Sequence, residues 1–352
     1  RRDSESLINK ERLMIKAEKQ FYLFGMGHRE KTVYMDGKLT TVMENSVLYS
    51  WDVSKEEFYF DEYRVKLTLK DGSVVEIYEN SEGVYVNDKC IAHSKLNLPT
   101  FEEYKYAKQL RILHHEILIS FYGVLPVPNI YVYHKPWYRD GAMMALVLDK
   151  TSNVELLRPW VMSVTELYDK NNWGMSEPDN LGQLAYILSF FTDKSYPLVD
   201  KIIAEAKRIS VDGCLTGITD GNDHSVYSTL WLKFGLSKLG ADTSFIKIPK
   251  KFDSYARMFW MDRSEVERDT YFANEYDEKY PYLTWAVDHF EGNPVNESRI
   301  EIKYPMSWEI DASQAKYPEI APLSEEYAKN KCGAPHSWHA AEMFMYLIEF
   351  KK

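Results

Sequence analysis

The chain has 352 residues, 45% hydrophobic and 27% charged, which is too apolar for a disordered chain and suits about two globular domains. Lys and Arg number 43 against 53 Asp and Glu, a net charge of -10, and no basic cluster offers the footprint that nucleic acid requires. The longest uncharged apolar run, residues 117–133, is broken by Gly123, Pro126 and Pro128, which excludes it as a membrane span.

The N-terminus, Arg1-Arg2-Asp3-Ser4, leads into a charged stretch, so no signal peptide is read there, although a secreted or periplasmic location is expected ahead of a cytoplasmic one. From about Phe21 to Val86 the hydrophobic period is two. Lys31-Thr32-Val33-Tyr34 and Leu39-Thr40-Thr41-Val42 flank Met35-Asp36-Gly37-Lys38, and Arg64 to Lys70 turns back through Asp71-Gly72 into Ser73 to Tyr78. Asp-Gly between alternating runs is a strong hairpin signal. Residues 1–99 therefore read as a small antiparallel β domain. Its apolar face, with Val65, Leu67 and Leu69 on one side of a strand, needs cover, and the following helical part is the expected docking partner.

Beyond residue 100 the period becomes helical, and residues 100–352 are expected to be all-α. Thr100-Phe101-Glu102-Glu103 fits a capping box. Val226, Leu230 and Phe234 repeat at i+4 on a run that stops at Leu239-Gly240. A last helix starts near Pro335 and carries Trp338, Ala341 and Met345 on one face. Cys90, Cys214 and Cys332 are odd in number and far apart, so neither a disulfide framework nor a metal site is expected, and no cofactor is implied.

A loop chemistry recurs in the helical part. Trp137-Tyr138-Arg139-Asp140, Trp173-Gly174 with Asp179, and Thr219-Asp220-Gly221-Asn222-Asp223 each precede an apolar run. The separations are 39 residues from Asp140 to Asp179 and 41 from Asp179 to Asp220, the span of one helical hairpin per repeat. Carboxylates with Trp at one mouth suit carbohydrate chemistry, in which one protonated carboxyl assists the leaving oxygen and a second activates water. Asp ahead of a helix is also an ordinary N-cap, which explains any single loop without a function. The aromatic share of 14% is compatible with either sugar-stacking surface or core.

Through these loops the segment of roughly 101–352 resembles the six-hairpin (α/α)6 glycosidases, above all their glucoamylase-like branch. The resemblance implies a mainly α chain, an (α/α)6 catalytic toroid preceded by the small β unit. It implies a hydrolase of carbohydrate metabolism, an exo-acting, inverting glycoside hydrolase that releases a terminal sugar from an oligosaccharide or glycoconjugate. Trp137-Tyr138-Arg139-Asp140 is similar to the branch's Trp-x-Arg-Asp, whose Arg and Asp hold hydroxyls of the departing sugar. Trp173-Gly174 with Asp179 looks like a second loop lining the same subsite. Asp220 falls where the family keeps its general acid. Ser324-Glu325-Glu326-Tyr327, ahead of Trp338, resembles the Ser-Glu-Gln-Tyr that carries the general base. The sequence departs from the pattern in using Asp for the acid and in the small size of its β unit.

Asp223 competes with Asp220 for the acid role, but it sits directly before His224 as a natural N-cap, whereas Asp220 lies in a turn. Glu326, adjacent to Glu325, and Glu309 are the alternative bases. Trp137, Arg139, Asp140, Trp173, Asp179, Asp223 and Trp338 complete the expected substrate-binding set. Two other functions stay open: a uronate-directed lyase or unsaturated-uronyl hydrolase, which would use His and Tyr beside carboxylates, and a toroid that binds glycan without cleaving it. The net charge disfavours a uronate substrate.

Overall fold

The period-two segment forms nine strands in two antiparallel meanders in a computed structural model that describes residues 19–131, 133–251, 253–259, 261, 302–307 and 335–352. The first meander runs β1 (Phe21–Phe24), β2 (Thr32–Met35), β3 (Lys38–Thr41) and β4 (Val47–Ser50). The second runs β5 (Val53–Tyr59), β6 (Arg64–Leu69), β7 (Val74–Glu79), β8 (Gly83–Val86) and β9 (Lys89–His93). Asp36 and Gly37, at φ 51° and 74°, link β2 to β3 in the mirror-image turn whose twist matches paired strands.

Seven α-helices are described: α1 (Ala107–Ile119), α2 (Tyr138–Lys150), α3 (Arg158–Val161), α4 (Asp179–Leu188), α5 (Pro197–Ile209), α6 (Ser225–Lys238) and α7 (Ser337–Leu347). Two short ribbons accompany them, β10 (Phe121–Tyr122) with β11 (Leu125–Pro126), and β12 (Ser210–Val211) with β13 (Cys214–Leu215). The chain divides into two compact units. Arg1–His134, Lys150–Asn153 and Glu297–Lys352 form the first, and Lys135–Asp149 and Val154–Asn296 the second.

This architecture corrects the expectation of a mainly α, (α/α)6 toroid. Among the described residues 34% are helical and 22% lie in strands, with four antiparallel sheets, so the protein is a mixed α/β molecule. The reason is visible in the core of the first unit. Tyr22, Phe24, Tyr34 and Leu39 of the first meander share one apolar cluster with Val65, Leu67, Val75, Ile77, Val84 and Val86 of the second. Each sheet thus covers the other, and full burial of each such aliphatic side chain contributes about 1.5–3 kcal/mol. The face carrying Val65 and Leu67 is closed by a second sheet, and not by a ring of helices.

Helix α1 joins the same unit at the flank of this core. His115 stacks on Tyr22 with ring centroids 4.8 Å apart, its Nε2 lies 3.0 Å from the Leu23 carbonyl, and Arg111 pairs with Asp61 at 3.0 Å. The helix begins at Ala107, later than the Thr100 capping box predicts. Phe101 takes a left-handed φ of 56° and turns the chain, while its ring packs edge-on against His114 and Phe344. Burying that ring outweighs the propensity of the Thr-x-x-Glu pattern.

In the second unit the close crossing of α4 and α6 dictates glycine at two positions. A Cβ on Gly182 would lie 2.2 Å from the Trp231 and Leu232 backbone, and one on Gly235 would lie 2.3 Å from the Gly182 carbonyl. Helix α6 stops where the sequence predicts, with Gly240 at φ 73° and the Ala241 amide donating back to the Leu236 carbonyl at 3.0 Å. Helix α5 buries one stripe, Leu198, Val199, Ile202 and Ala206.

Candidate functional site

The three acidic loops of the helical segment meet in the second unit. Arg139, in the first turn of α2, is 2% exposed, and it donates from Nε to Asp179 Oδ2 at 2.8 Å and from Nη2 to Glu177 Oε2 at 2.9 Å. Asp179 is the first residue of α4, where the helix dipole favours a negative charge. It also accepts from Gln183 Nε2 at 2.8 Å. Glu177 Oε1 accepts from Asn172 Nδ2 at 3.1 Å and from the backbone amide of Asp220. One buried guanidinium therefore organises two carboxylates, and the second of these holds the Asp220 loop.

Two tight turns form the exposed edge of this network. Thr219 and Asn222 exchange backbone hydrogen bonds of 2.8 and 3.1 Å around Asp220 and Gly221, at φ 49° and 80°. Asn172 accepts from the Met175 amide at 3.0 Å around Trp173 and Gly174, at φ 52° and 72°. Left-handed backbone is common for Asp but an outlier for a bulky residue such as Trp, with a cost of about 1–3 kcal/mol. The Trp173 ring is 78% exposed and passes 3.9 Å from the position a Gly221 Cβ would occupy. An indole held in a strained turn, in solvent, against the neighbouring Asp220-Gly221 turn does nothing for the core.

Asp220 accepts on both oxygens. Asn172 Nδ2 donates to Oδ1 at 3.2 Å, and the Tyr255 hydroxyl donates to Oδ2. Tyr255 stacks face to face with His224, with ring centroids 3.7 Å apart and planes 8° apart, and His224 Nδ1 lies 2.7 Å from Asp253 Oδ1. Burial opposes the charge on Arg139, but Asp179, Glu177 and Asp220 outweigh it and hold the guanidinium firmly protonated. Burial, and then the charge of Asp220, push the Tyr255 phenol well above its usual range, so it remains a donor. Burial likewise raises the carboxyl of Asp169, which accepts from the Tyr138 amide at the start of α2, to about 6.

Of the residues singled out in the sequence, Arg139, Asp179, Asp220 and Trp173 belong to this one constellation. Asp140 is buried in the first turn of α2, and Trp137 is half-buried just before it. Asp223 is exposed, pairs with Lys251 at 2.6 Å and accepts from the Ser225 amide at 3.1 Å, but the N-cap of α6 is His224, so Asp223 stands one residue before the cap that the sequence assigns to it. Trp338 lies in the first unit on α7, where its indole nitrogen donates to Glu342 at 3.3 Å. Glu325, Glu326 and Glu309 lie outside the described residues. Five participants carry no signal singled out in the sequence: Asn172, Glu177, Tyr255, His224 and Asp253. The first two sit within seven residues before Asp179, in the Trp-Gly loop itself. Tyr255 and Asp253 follow no periodicity, and only the fold brings them to Asp220.

Among the described residues no group of three or more His, Cys, Asp or Glu is placed to hold a metal ion, and Cys90 and Cys214 are both free. Nor is any described helix long and apolar enough to cross a membrane. No protein-family model, curated protein or solved structure matches the chain.

Proposed function

We propose that the protein is a glycoside hydrolase that releases a terminal sugar, with Asp220 as the proton donor. The observation that carries this reading is the solvent-exposed indole of Trp173, held in a left-handed turn against the turn that presents Asp220. An aromatic face stacks on the apolar face of a pyranose, and a carboxyl at its edge reaches the glycosidic oxygen. In the proposed step Asp220 gives its proton to that oxygen as the C–O bond breaks. A water attacks the anomeric carbon from the opposite face and loses its proton to the base, proposed to be Glu325. Arg139, Glu177 and Asp179 set the height of the Asp220 turn, and Asn172 and Tyr255 orient its carboxyl. Inverting hydrolysis requires about 6.5–9.5 Å between the two carboxyls, leaving room for the water.

A second reading, a uronate-directed lyase, is favoured by one observation, the Tyr255 and His224 rings beside Asp220. The local charge argues against it, because Glu177, Asp179 and Asp220 surround a single guanidinium that they already engage. Incubation with a panel of aryl glycosides, neutral oligosaccharides and oligouronates separates the two. Hydrolysis predicts a released monosaccharide with no new ultraviolet absorbance. A product absorbing through a new C=C bond would establish the lyase, and no product from any member would leave only glycan binding.

A further inference from the structure

The Asp220 carboxyl is met from outside its own loop by a rigid arm that begins at the N-terminus of α6. Asp253 is the anchor of that arm. Its Oδ1 accepts from His224 Nδ1 at 2.7 Å and from the Tyr255 amide at 3.0 Å, and its Oδ2 accepts from the Tyr227 amide at 2.9 Å in the first turn of α6. Capping of α6 and of the 3₁₀ turn at Ser254–Met258 accounts for Asp253 taken alone. It does not account for the next two contacts. His224 covers one face of the Tyr255 ring at 3.7 Å between centroids, and Tyr227 meets that ring edge-on at 5.6 Å. With its backbone tied to Asp253 and its ring packed on His224 and Tyr227, Tyr255 directs its hydroxyl to Asp220 Oδ2.

We propose that Tyr255, locked by the His224–Asp253 pair, is the positioning residue of Asp220: its hydroxyl fixes the carboxyl's rotamer. The kinetic part of this proposal rests on the reading of Asp220 as the proton donor, and the positional part does not. A phenol that donates to a carboxylate favours the anion, so removing the donor raises the carboxyl's affinity for its proton. Among the described residues the groups facing Asp220 are few. Asn172 donates to its other oxygen, Glu177 accepts from its amide, Arg139 acts on it through charge, and Tyr255 closes the remaining side. Asn172 and Tyr255 are both neutral donors, and among the described residues Tyr255 is the one held by a ring stack.

Tyr255→Phe keeps the stack and deletes the hydroxyl. His224→Phe keeps a flat ring on Tyr255 and deletes the bond to Asp253. The experiment follows the Asp220 carboxyl by 13C NMR titration of the full chain, assigned with Asp220→Asn, alongside kcat/KM against pH on a glycoside that the parent cleaves. In Tyr255→Phe the Asp220 titration should move up by about one pH unit. The alkaline limb of kcat/KM should move with it, and kcat should fall about tenfold. KM should stay within about twofold, because the lost interaction acts on the reacting proton and not on ground-state binding. His224→Phe should move both in the same direction by a smaller amount. An unmoved Asp220 titration in both folded variants overturns the positioning role, whatever their activity. A raised titration in a protein that cleaves no glycoside upholds the positioning role and rejects the hydrolase reading. If Tyr255→Phe fails to fold, the His224→Phe titration decides alone.

Discussion

In the first unit three consecutive residues of α1, His114, His115 and Glu116, are buried, and their bonds end on backbone or on neighbouring side chains of the core. His115 meets the Leu23 carbonyl, His114 meets Asn153 at 3.3 Å, and Glu116 accepts from the amides of Met306 and Ser307 at 2.6 and 3.1 Å. In the second unit Arg139, Glu177 and Asp179 are as deeply buried, but their bonds continue outward through Asn172 and the Asp220 amide to two exposed turns. The lesson is that burial of ionisable groups does not by itself mark a site. What distinguishes the second cluster is its continuation to a carboxyl and an indole that solvent can reach.

The comparison breaks most visibly at Arg139. Arg139→Met would leave Glu177 and Asp179 buried without their cation, and should destabilise the protein by about 3–5 kcal/mol in denaturant unfolding. Mutating Glu177 to Gln as well should recover part of that loss, because one uncompensated charge leaves with it. Next in size is the helix crossing that brings the loops together. Gly182→Ala forces a methyl to within 2.2 Å of the α6 backbone and should cost about 1–3 kcal/mol or more in the same assay.

The first unit should answer to pH rather than to ligands. Burial lowers the folded-state values of His114 and His115 from 6.5 to about 3, whereas burial raises Glu116 from 4.5 to about 7. Between pH 4.5 and 6.5 the unfolded chain then binds two more protons at the imidazoles, and the folded chain binds one more at Glu116. The net is one proton in favour of the unfolded state, so these three groups make stability rise with pH by about 1.4 kcal/mol per unit in that window. Below the unfolded carboxyl value only the imidazoles contribute, and the slope steepens. His115→Gln should flatten the slope in thermal unfolding scans, and an unchanged slope would show that the imidazole titrates normally in the fold.

The smallest expected effect sharpens the contrast instead. Trp173→Ala removes a ring that is 78% exposed, so stability should change by no more than about 0.5 kcal/mol. Oligosaccharide affinity should nevertheless fall about tenfold in calorimetry, the worth of one aromatic stacking contact. That outcome, a residue that matters for ligand and not for folding, would separate the two clusters.

Local chemistry explains what was legible in the sequence. Asp36-Gly37 and Asp220-Gly221 mark turns because few residue pairs accept two positive φ values in succession, and Gly240 alone, at φ 73°, ends α6. Asp140 and Asp179 lie in the first turns of α2 and α4 and Asp220 in a turn before α6, yet this spacing describes only that stretch and says nothing of how many hairpins the chain holds. Alternation in β6 announces a buried face without naming its cover, and the cover is the first meander. Tyr255, Asp253 and Glu177 were beyond reach for a similar reason: their partners are chosen by tertiary contact, at separations of 26 to 43 residues.

The central claim, that the Asp220 turn is the reacting centre of a saccharide site, is tested most directly by Asp220→Asn. The measurement is turnover, on a glycoside that the parent cleaves, of a variant whose unfolding midpoint matches the parent's. The amide preserves the shape and can still accept from Tyr255, but it has no proton to give. The account predicts a loss of about 10²–10⁴-fold in kcat, the usual contribution of a positioned general acid. Turnover within a factor of about two of the parent would contradict it.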